Sequence, residues 1–288
     1  MNKIIVTLIS LFTSLSAFAD SVVKSNPWSL STYLPPEDIS VNGHLIDYLF
    51  NYTTYFNIFF FVLVCLGLIG FSWMYRAKNH PKPYYTYGNK KSHILVATAI
   101  GLFVFLTVDM NITRISNNDY VGVFTNWPNA KKEQVLKVEV LAQQWAWSFR
   151  YAGKDGVFNT EDDVVSLNDL RLPTGKKIVF QLQSKDVIHS FFIANTRRKV
   201  DAIPGRITRM WFELKDGTAG DYEIACAEMC GTYHYRMAAK LKVYPQEKFD
   251  RWMTEAEEKA KQENDADNAE LFWGWPWSSN SNVSMMKK

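Results

Sequence analysis

Four side chains of types that bind metal ions lie within twelve residues near the carboxyl end of the sequence. They are Cys226, Cys230, His234 and Met237. Two thiols, an imidazole and a thioether make a set of soft and borderline donors. Thiolate and thioether ligands together favour copper over hard cations. The spacing therefore predicts a copper site.

Two other interpretations of this segment stay open. Zinc also takes Cys and His ligands at close spacing, but a zinc site needs a fourth N or S ligand and has no use for Met237. A plain disulfide between Cys226 and Cys230 would suit an oxidising compartment. Upstream, His189 offers a second imidazole, although a lone histidine on a strand is more often packed or exposed without a ligand role. Two His, two Cys and one Met would supply a dinuclear copper centre.

Short β-rich segments surround these residues and are expected to hold them. Between about residues 135 and 244, alternating apolar and polar stretches are separated by Gly, Pro, Asn and Asp. The clearest stretches are 135–141, 177–182, 206–214 and 237–243. No α/β crossover pattern interrupts them, so a β-sandwich or barrel is predicted.

Three apolar runs precede the β region. Residues 1–19 have the pattern of a secretory signal peptide, with an uncut membrane anchor as the alternative. Residues 48–75 contain no charged side chain and 92–108 form a shorter run, so two transmembrane helices are predicted, with two buried helices of a soluble protein as the alternative. The segment between them has five basic residues and no acidic one, which places it in the cytoplasm and the β region outside.

The composition excludes several classes of protein. A net charge of +3, from 32 Lys and Arg against 29 Asp and Glu, argues against a nucleic-acid-binding surface. An aromatic content of 15% beside 21% charged residues excludes disorder over most of the chain. Three cysteines are too few for a disulfide scaffold of this size.

Three further features have less defined roles. Residues 154–163 form an insertion with four acidic side chains, for which calcium binding, an electrostatic docking role and a solvated hairpin tip are all open. Residues 247–270 predict a solvated helix, and the Trp-rich segment 272–277 either docks at an interface or has no role. Cys65, within the first apolar run, is predicted to face lipid or another helix.

The order of these features resembles subunit II of the cytochrome c oxidases. The resemblance rests on the segments 144–149, 186–189, 201–206 and 226–237, which follow the helix hairpin in the family's order. It implies a membrane-anchored all-β protein in which a two-helix transmembrane hairpin precedes a cupredoxin-like Greek-key β-barrel. The expected divisions are a signal peptide (1–19), an outer N-terminal segment (20–47), a first helix (48–75), a cytoplasmic loop (76–91), a second helix (92–110), a cupredoxin domain (111–246) and a charged helix with a Trp-rich tail (247–288).

The resemblance also implies two copper ions in the dinuclear centre called CuA. Its implied ligands are the side chains of His189, Cys226, Cys230, His234 and Met237 and the backbone carbonyl of Glu228. The two thiolates would bridge the coppers, one of which would also bind His189 and Met237. The other copper would bind His234 and the Glu228 carbonyl.

Two tryptophans and one carboxylate acquire expectations from the same resemblance. Trp145 matches the family position that receives electrons from cytochrome c, whereas Trp147 is expected in the core. The Glu228 side chain matches a carboxylate that helps to bind magnesium at the interface with catalytic subunit I, and residues 201–206 face that interface. No Cys-x-x-Cys-His occurs, so no covalent haem is expected.

The resulting expectation is a subunit of a respiratory cytochrome c oxidase in a bacterial inner membrane. Its partners would be catalytic subunit I, other oxidase subunits, cytochrome c and lipid. Many family members carry a Glu near the start of the second helix, but here no Asp or Glu occurs between Arg76 and Val108. A CuA subunit of a nitric oxide reductase is therefore one alternative. A membrane-anchored copper carrier or assembly factor is an alternative of a different class.

Overall fold

Two long helices begin the part of the chain that the computed structural model describes, which comprises residues 34–78, 85, 87–128, 135–160 and 162–263. The predicted signal peptide and Trp-rich tail lie outside these residues. Helix α1 spans Gly43–Met74, and helix α2 spans Lys91–Phe124. Both are long and apolar enough to cross a bilayer, with hydropathies of 2.2 and 2.0 over their most apolar windows. Most of their large apolar side chains are exposed in the isolated chain, as suits helices that contact lipid or other subunits.

Both helices extend beyond the bounds expected from hydropathy. Helix α1 begins five residues earlier than residue 48, and α2 continues to Phe124 rather than ending at residue 110. The prediction of the ends was wrong because hydropathy marks where apolar residues stop, while the polar stretch Met110–Asp119 is still α-helical. Residues 111–124, expected in the β domain, therefore belong to α2.

Helix α2 is not uniformly α-helical. Wider π turns occur at Phe105–Asp109 and Tyr120–Phe124. The Tyr52 hydroxyl of α1 donates a hydrogen bond to the carbonyl oxygen of Thr107, at 2.8 Å, within the first of these turns. A π turn frees backbone groups from the regular ladder, and this contact fixes the register of the two helices.

Residues 135–244 contain the strands of a β domain with two five-stranded sheets. One sheet has the order β3-β2-β1-β5-β8 and the other β4-β10-β9-β6-β7. Two pairs, β1 with β5 and β4 with β10, are parallel, and the others are antiparallel. The strands are β1 (Val135–Gln143), β2 (Ala146–Tyr151), β3 (Val164–Leu167), β4 (Asp169–Pro173), β5 (Lys177–Ser184), β6 (His189–Ile193), β7 (Arg198–Ala202), β8 (Thr208–Glu213), β9 (Gly220–Cys226) and β10 (Ala238–Tyr244). This is the predicted all-β, cupredoxin-like architecture.

The core lies between the sheets and is rich in aromatic rings. Trp147, Phe149, Phe180 and Phe191 are fully buried. The Phe191 ring lies 5.3 to 6.1 Å, centroid to centroid, from the other three rings. Aromatic pairs at such separations contribute beyond their buried area. The prediction of Trp147 as a core residue is confirmed.

The segment before α1 is part of the β domain. Ile39 is fully buried in the core, and Ser40 forms a bridge with Leu214 at the end of β8. The Ile39 amide donates to the carbonyl of Asn195, and the Lys215 amide donates to the carbonyl of Ile39. Helix α1 therefore starts directly from the β domain.

Helix α3 (Gln246–Glu263) is amphipathic rather than wholly solvated as expected. Phe249 is buried, and Trp252 packs against the core with its ring 5.4 Å from that of Tyr151. The prediction missed this because the many charged residues of the segment hide an apolar face that recurs at helical spacing.

The insertion 154–163 has an exposed tip at residues 154–157 and a partly buried base. Asp162 and Asp163 are buried, and the Asp163 carboxylate accepts a hydrogen bond from the Asn159 amide at 2.7 Å. The Asp162 carboxylate accepts a hydrogen bond from the Thr160 hydroxyl at 2.8 Å. Glu161 lies outside the described residues. The calcium and docking interpretations of this loop remain predictions.

Candidate metal centre

Three strand ends and one loop carry the predicted ligands. His189 is the first residue of β6, Cys226 the last residue of β9, and Met237 directly precedes β10. Cys230 lies in the loop between β9 and β10, and His234 begins a short 3₁₀ turn (His234–Arg236) in that loop. Because β9 is paired with both β6 and β10, these ends meet at one edge of the sheet.

Backbone hydrogen bonds close the loop at its base. The Cys226 amide donates to the carbonyl of Met237 at 3.0 Å, and the Ala227 amide donates to the carbonyl of Ser190 at 2.9 Å. Within the loop, the His234 amide donates to the carbonyl of Gly231 at 3.1 Å. The loop is therefore anchored to two strands, which limits the movement of the side chains that it carries.

The five predicted side-chain ligands and the Glu228 carbonyl lie together. The sulfurs of Cys226 and Cys230 are 3.7 Å apart. Cys226 Sγ lies 3.8 Å from His189 Nδ1 and 3.3 Å from the Glu228 carbonyl oxygen. Cys230 Sγ lies 3.4 Å from His234 Nδ1 and 3.7 Å from Met237 Sδ. Each sulfur therefore has its own imidazole.

The two sulfurs are not joined by a disulfide bond, which would bring them to about 2.05 Å. Cys226, Cys230, His189 and Met237 are buried, and His234 is half-buried. Among the described residues, the group of His, Cys, Asp or Glu side chains close enough to share an ion is His189, Cys226 and Cys230, with ligand atoms within 4.8 Å of one another. Thiolates, imidazoles and a thioether suit copper by their donor chemistry.

The two thiols differ in acidity. Burial opposes ionisation of Cys226, but hydrogen bonds from His189, the loop backbone and Cys230 lower its pKa to about 6. Burial and the neighbouring Cys226 raise the pKa of Cys230 to about 12. A cation that binds both sulfurs must displace the second proton, which is usual for thiolate sites.

A carboxylate fixes the orientation of His189. Asp186 Oδ1 lies 2.9 Å from His189 Nε2, so the opposite ring nitrogen, Nδ1, faces Cys226. Burial disfavours the charged imidazole, but contacts with Cys226 and Asp186 outweigh it and raise the pKa of His189. The other Asp186 oxygen accepts a hydrogen bond from the Gln144 amide at 2.6 Å. A carboxylate behind a metal-binding histidine is a common orienting device.

Sequence reasoning did not assign roles to Asp186 and Gln144. The Gln144 side-chain amide donates to the Cys230 carbonyl at 2.8 Å, so Gln144 contacts both the Asp186 carboxylate and the ligand loop. For Asp186, an acid three residues before a candidate histidine ligand was an available signal. For Gln144 there was none, because its partners lie 42 and 86 residues away.

Trp145 lies directly against the ligand loop. Its Nε1 donates a hydrogen bond to the Cys230 carbonyl at 3.2 Å, and its ring is 4.8 Å from that of Tyr233 in an edge-on arrangement. It is half-buried, whereas Tyr233 is exposed. Gly231, with φ of +117°, allows this approach, because a Cβ there would lie 2.9 Å from the Gln144 side-chain nitrogen and 3.1 Å from the Trp145 ring.

The remaining predicted residues lie near the centre without contacting its sulfurs through their side chains. The Glu228 side chain is exposed. Asp201 is exposed too, and its carboxylate accepts a hydrogen bond from the Ser190 hydroxyl at 2.7 Å. The magnesium role of Glu228 stays a prediction.

Known proteins are similar in sequence to this chain over the β domain and beyond it. The family model described as "Cytochrome C oxidase subunit II, periplasmic domain" matches residues 136–243. The chain is 30% identical over 239 residues to the alternative cytochrome c oxidase subunit 2 of Bradyrhizobium diazoefficiens, which covers 75% of this chain and 81% of the relative. It is 28% identical over 262 residues to the probable cytochrome c oxidase subunit 2 of Rickettsia conorii, covering 84% of this chain and 76% of the relative.

A third relative matches over a shorter length. The chain is 38% identical over 117 residues to cytochrome c oxidase subunit 2 of Thermostichus vulcanus, covering 41% of this chain and 32% of that relative. The match to the Bradyrhizobium protein extends well beyond the β domain. From this similarity it follows that the chain belongs to the cytochrome c oxidase subunit II family.

Proposed function

We propose that this chain receives electrons from cytochrome c at a dinuclear CuA centre and passes them to haem in a catalytic subunit that reduces oxygen to water. One observation carries the proposal. Two cysteine sulfurs lie 3.7 Å apart, and each faces the Nδ1 atom of a different histidine. His189, Cys226 and Cys230 lie close enough to share one ion, whereas His234 lies outside that group and contacts Cys230. The second imidazole therefore suits a second ion beside the first.

We assign the ligands as the resemblance implied. Cys226 and Cys230 would bridge both ions, with Met237 and the Glu228 carbonyl as the weak ligands on either side. Bound in this way, the copper pair supplies a one-electron carrier whose charge is spread over two metals. Weak axial ligands of this kind tune the reduction potential at copper sites.

The protein contributes rigidity to this chemistry. His189 lies on a strand, its ring is held by Asp186 and it packs 6.1 Å from Trp147. The loop that carries Cys230 and His234 is closed by the hydrogen bond between Cys226 and Met237. When ligands move little between oxidation states, electron transfer has a low reorganisation energy and is fast.

Trp145 is the proposed contact for the electron donor. Its indole is half-buried beside the exposed ring of Tyr233, and its N–H is hydrogen-bonded to the carbonyl of a bridging cysteine. This gives a short bonded route from the protein surface to Cys230. The proposed setting is a two-pass protein of the bacterial inner membrane, with the β domain on the outer side.

The test uses the intact oxidase purified with this chain. We expect two copper ions for each chain in addition to any copper of the catalytic subunit, and a paramagnetic signal from one electron shared by two coppers. Cys226→Ser and Cys230→Ser should each abolish that signal, while Cys65→Ser in α1 serves as the matched control and should leave it intact. Stoichiometric zinc, or a signal from a single localised copper, would contradict the proposal. So would a complex that reduces nitric oxide, but not oxygen, with reduced cytochrome c as donor.

A further inference from the structure

Two adjacent arginines connect the β domain to the outer ends of both helices. Arg197 follows the short turn after β6, and Arg198 is the first residue of β7. Arg197 contacts Asp47 near the start of α1, and Arg198 lies beside Asp119 near the end of α2. These four residues are named the arginine tie below.

The contact of Arg197 with Asp47 is a two-pronged ion pair. Its Nε lies 2.7 Å from one carboxylate oxygen of Asp47, and its Nη2 lies 3.0 Å from the other. The same guanidinium donates to the backbone carbonyls of Ala194 and Pro36, at 2.7 and 2.6 Å. Paired N–H to carboxylate contacts are stronger and more directional than a single ion pair.

The backbone of Arg197 supports a specific role for its side chain. The residue has φ of +59° and ψ of +19°, in the left-handed region that favours glycine. Glycine would adopt this conformation without a steric penalty. An arginine here is therefore explained by what its side chain contacts, since the turn alone would be served better by a smaller residue.

Arg198 forms the second arm, on α2. It is 5% exposed, its Nη2 lies 3.9 Å from Asp119 Oδ1, and its guanidinium carbon lies 5.7 Å from the centre of the Phe124 ring. Nearby, Trp211 of β8 donates a hydrogen bond from its indole nitrogen to the Val123 carbonyl at 3.1 Å. Burying an arginine costs free energy unless an opposite charge lies near it, so Asp119 and Phe124 favour the position of the β domain in which Arg198 lies beside them.

The tie is joined directly to the strand that carries a predicted copper ligand. Strand β7, which begins at Arg198, is paired with β6 so that Arg198 is opposite Ile193 and Ala202 is opposite His189. A displacement of the arginines relative to the helices would therefore move His189 as well. The helices define the membrane plane, so the tie defines the height of His189 above it.

We propose that Arg197 and Arg198 are positioning residues, which hold the β domain at one height and tilt over the membrane and so set the distance from the metal centre to the membrane-embedded haem. The inference rests on the proposed function, because the distance matters only if electrons leave the centre toward that haem. Electron transfer rates fall steeply with distance, so a loose domain would transfer electrons slowly even with an intact centre.

The experiment compares the unaltered oxidase complex with Arg197→Gly and Asp47→Asn, in oriented membrane layers. Gly suits the left-handed backbone, and Asn keeps the size of Asp47 while removing its charge. The angular dependence of the copper paramagnetic signal reports the tilt of the centre. In both variants we expect this dependence to weaken and the transfer rate from copper to haem to fall by about tenfold, which corresponds to about 1.4 kcal/mol in activation free energy. The KM for reduced cytochrome c should not change, because the docking surface stays intact.

Two further variants separate positioning from a general loss of charge or fold. The exchanged pair Arg197→Asp with Asp47→Arg should restore the angular dependence and much of the rate. Lys199→Ala is the matched control. Lys199 is an exposed residue of the adjacent strand β7, and its replacement removes one positive charge, as Arg197→Gly does. Unchanged orientation and rate in both Arg197→Gly and Asp47→Asn, or equal effects of Lys199→Ala, would overturn the proposal.

The second arm and the dependence on the proposed function have their own tests. Arg198→Met with Asp119→Asn removes both charges while keeping an apolar contact to Phe124, and should weaken the angular dependence in the same way. Amide hydrogen exchange at Ile39, Val41 and Leu45 should become faster in Arg197→Gly, and this readout needs no copper. An unaltered complex without a dinuclear copper signal would contradict the proposed function, whereas unchanged exchange would contradict the tie.

Discussion

The indole nitrogen of Trp145 and the side-chain amide of Gln144 both donate hydrogen bonds to the carbonyl oxygen of Cys230, at 3.2 and 2.8 Å. Two neighbouring residues of the loop between β1 and β2 thus hold the same acceptor in the ligand loop. The arrangement places a surface aromatic ring one hydrogen bond away from a predicted bridging thiolate. It also gives a structural reason why a tryptophan, with its N–H donor, occupies this position.

Replacing Trp145 by Phe keeps an aromatic ring but removes the donor to Cys230. We expect kcat/KM with reduced cytochrome c to fall by at least about tenfold, which corresponds to about 1.4 kcal/mol in activation free energy. The copper paramagnetic signal should persist, because Trp145 is not a ligand. Steady-state kinetics on the purified complex measures the change. Tyr235→Phe, in an exposed residue of the loop between β9 and β10, is the control, and an equal loss there would argue against a special role for Trp145.

Replacing Asp186 by Asn removes the charge that orients His189. The His189 ring would lose a charged partner at 2.9 Å, and the Gln144 amide would face a weaker acceptor. We expect copper affinity to fall by about 10- to 100-fold, as for other partners of metal-binding histidines. Competition with a copper chelator measures the affinity. Asp221→Asn, an exposed carboxylate at the far end of β9, should leave it unchanged.

Replacing Arg150 by Met leaves the carboxylate of Glu139 buried without its main partner. Both side chains are fully buried, and the Arg150 guanidinium donates to Glu139 and, at 2.6 Å, to Asn159. Burial raises the pKa of Glu139 to about 8 even beside the opposing charge of Arg150, so the lone carboxyl would take up a proton. We expect the free energy of unfolding of the β domain to fall by about 1–3 kcal/mol, the cost of a buried group left without its partner. Thermal unfolding of the purified complex measures it. The double variant with Glu139→Met should recover a large part of this loss, and a double variant as unstable as the single one would show that packing rather than charge dominates.

Acid should loosen the segment that precedes α1. Burial opposes ionisation of Asp38, but the Lys215 ammonium at 2.8 Å and hydrogen bonds from Ser40 lower the pKa of this carboxyl below its usual 3.8. A carboxyl whose pKa is lowered in the folded state contributes stability above its unfolded pKa, and this contribution is lost as the pH falls through the folded value. Because Lys215 is partly exposed, we expect Asp38→Asn to cost only about 0.5–1 kcal/mol at neutral pH.

The measurement for Asp38 is the difference in Tm between the unaltered complex and the variant across pH. The difference should be constant at neutral pH and shrink as the pH falls through the lowered folded-state pKa of Asp38, below which both chains lack the charge. A difference that is independent of pH would assign the effect to shape and not to ionisation.

Local patterns made the ligand loop and the two helices predictable. One short segment contains Cys226, Cys230, His234 and Met237. The two helices are recognisable in the sequence as long apolar runs. The ends of the helices were not predictable. The polar helical segment Met110–Asp119 is stabilised by contacts of α2 with α1 and the β domain rather than by its own composition.

Contacts between distant segments were beyond sequence reasoning. Asp186 meets Gln144 across 42 residues, and Arg197 meets Asp47 across 150. Ile39 gave no signal at all, since a single apolar residue among Pro, Asp and Ser has no periodicity to interpret. The Asp186–Gln144 contact depends on how the strands of the β domain assemble, and the Arg197–Asp47 contact on how that domain packs against α1. No local pattern encodes either arrangement.

The burial of Ile39 has a consequence for the order in which the protein is made. Ile39 precedes both helices in the chain, but its backbone hydrogen-bond partners, Asn195 and Lys215, lie far beyond the end of α2 at Phe124. A chain that emerges from its amino end exposes this segment long before its partners exist. In the proposed topology, the β domain would close only after both helices had been inserted and β8 had crossed the membrane, so assembly of the proposed metal site would be a late step in the maturation of the chain.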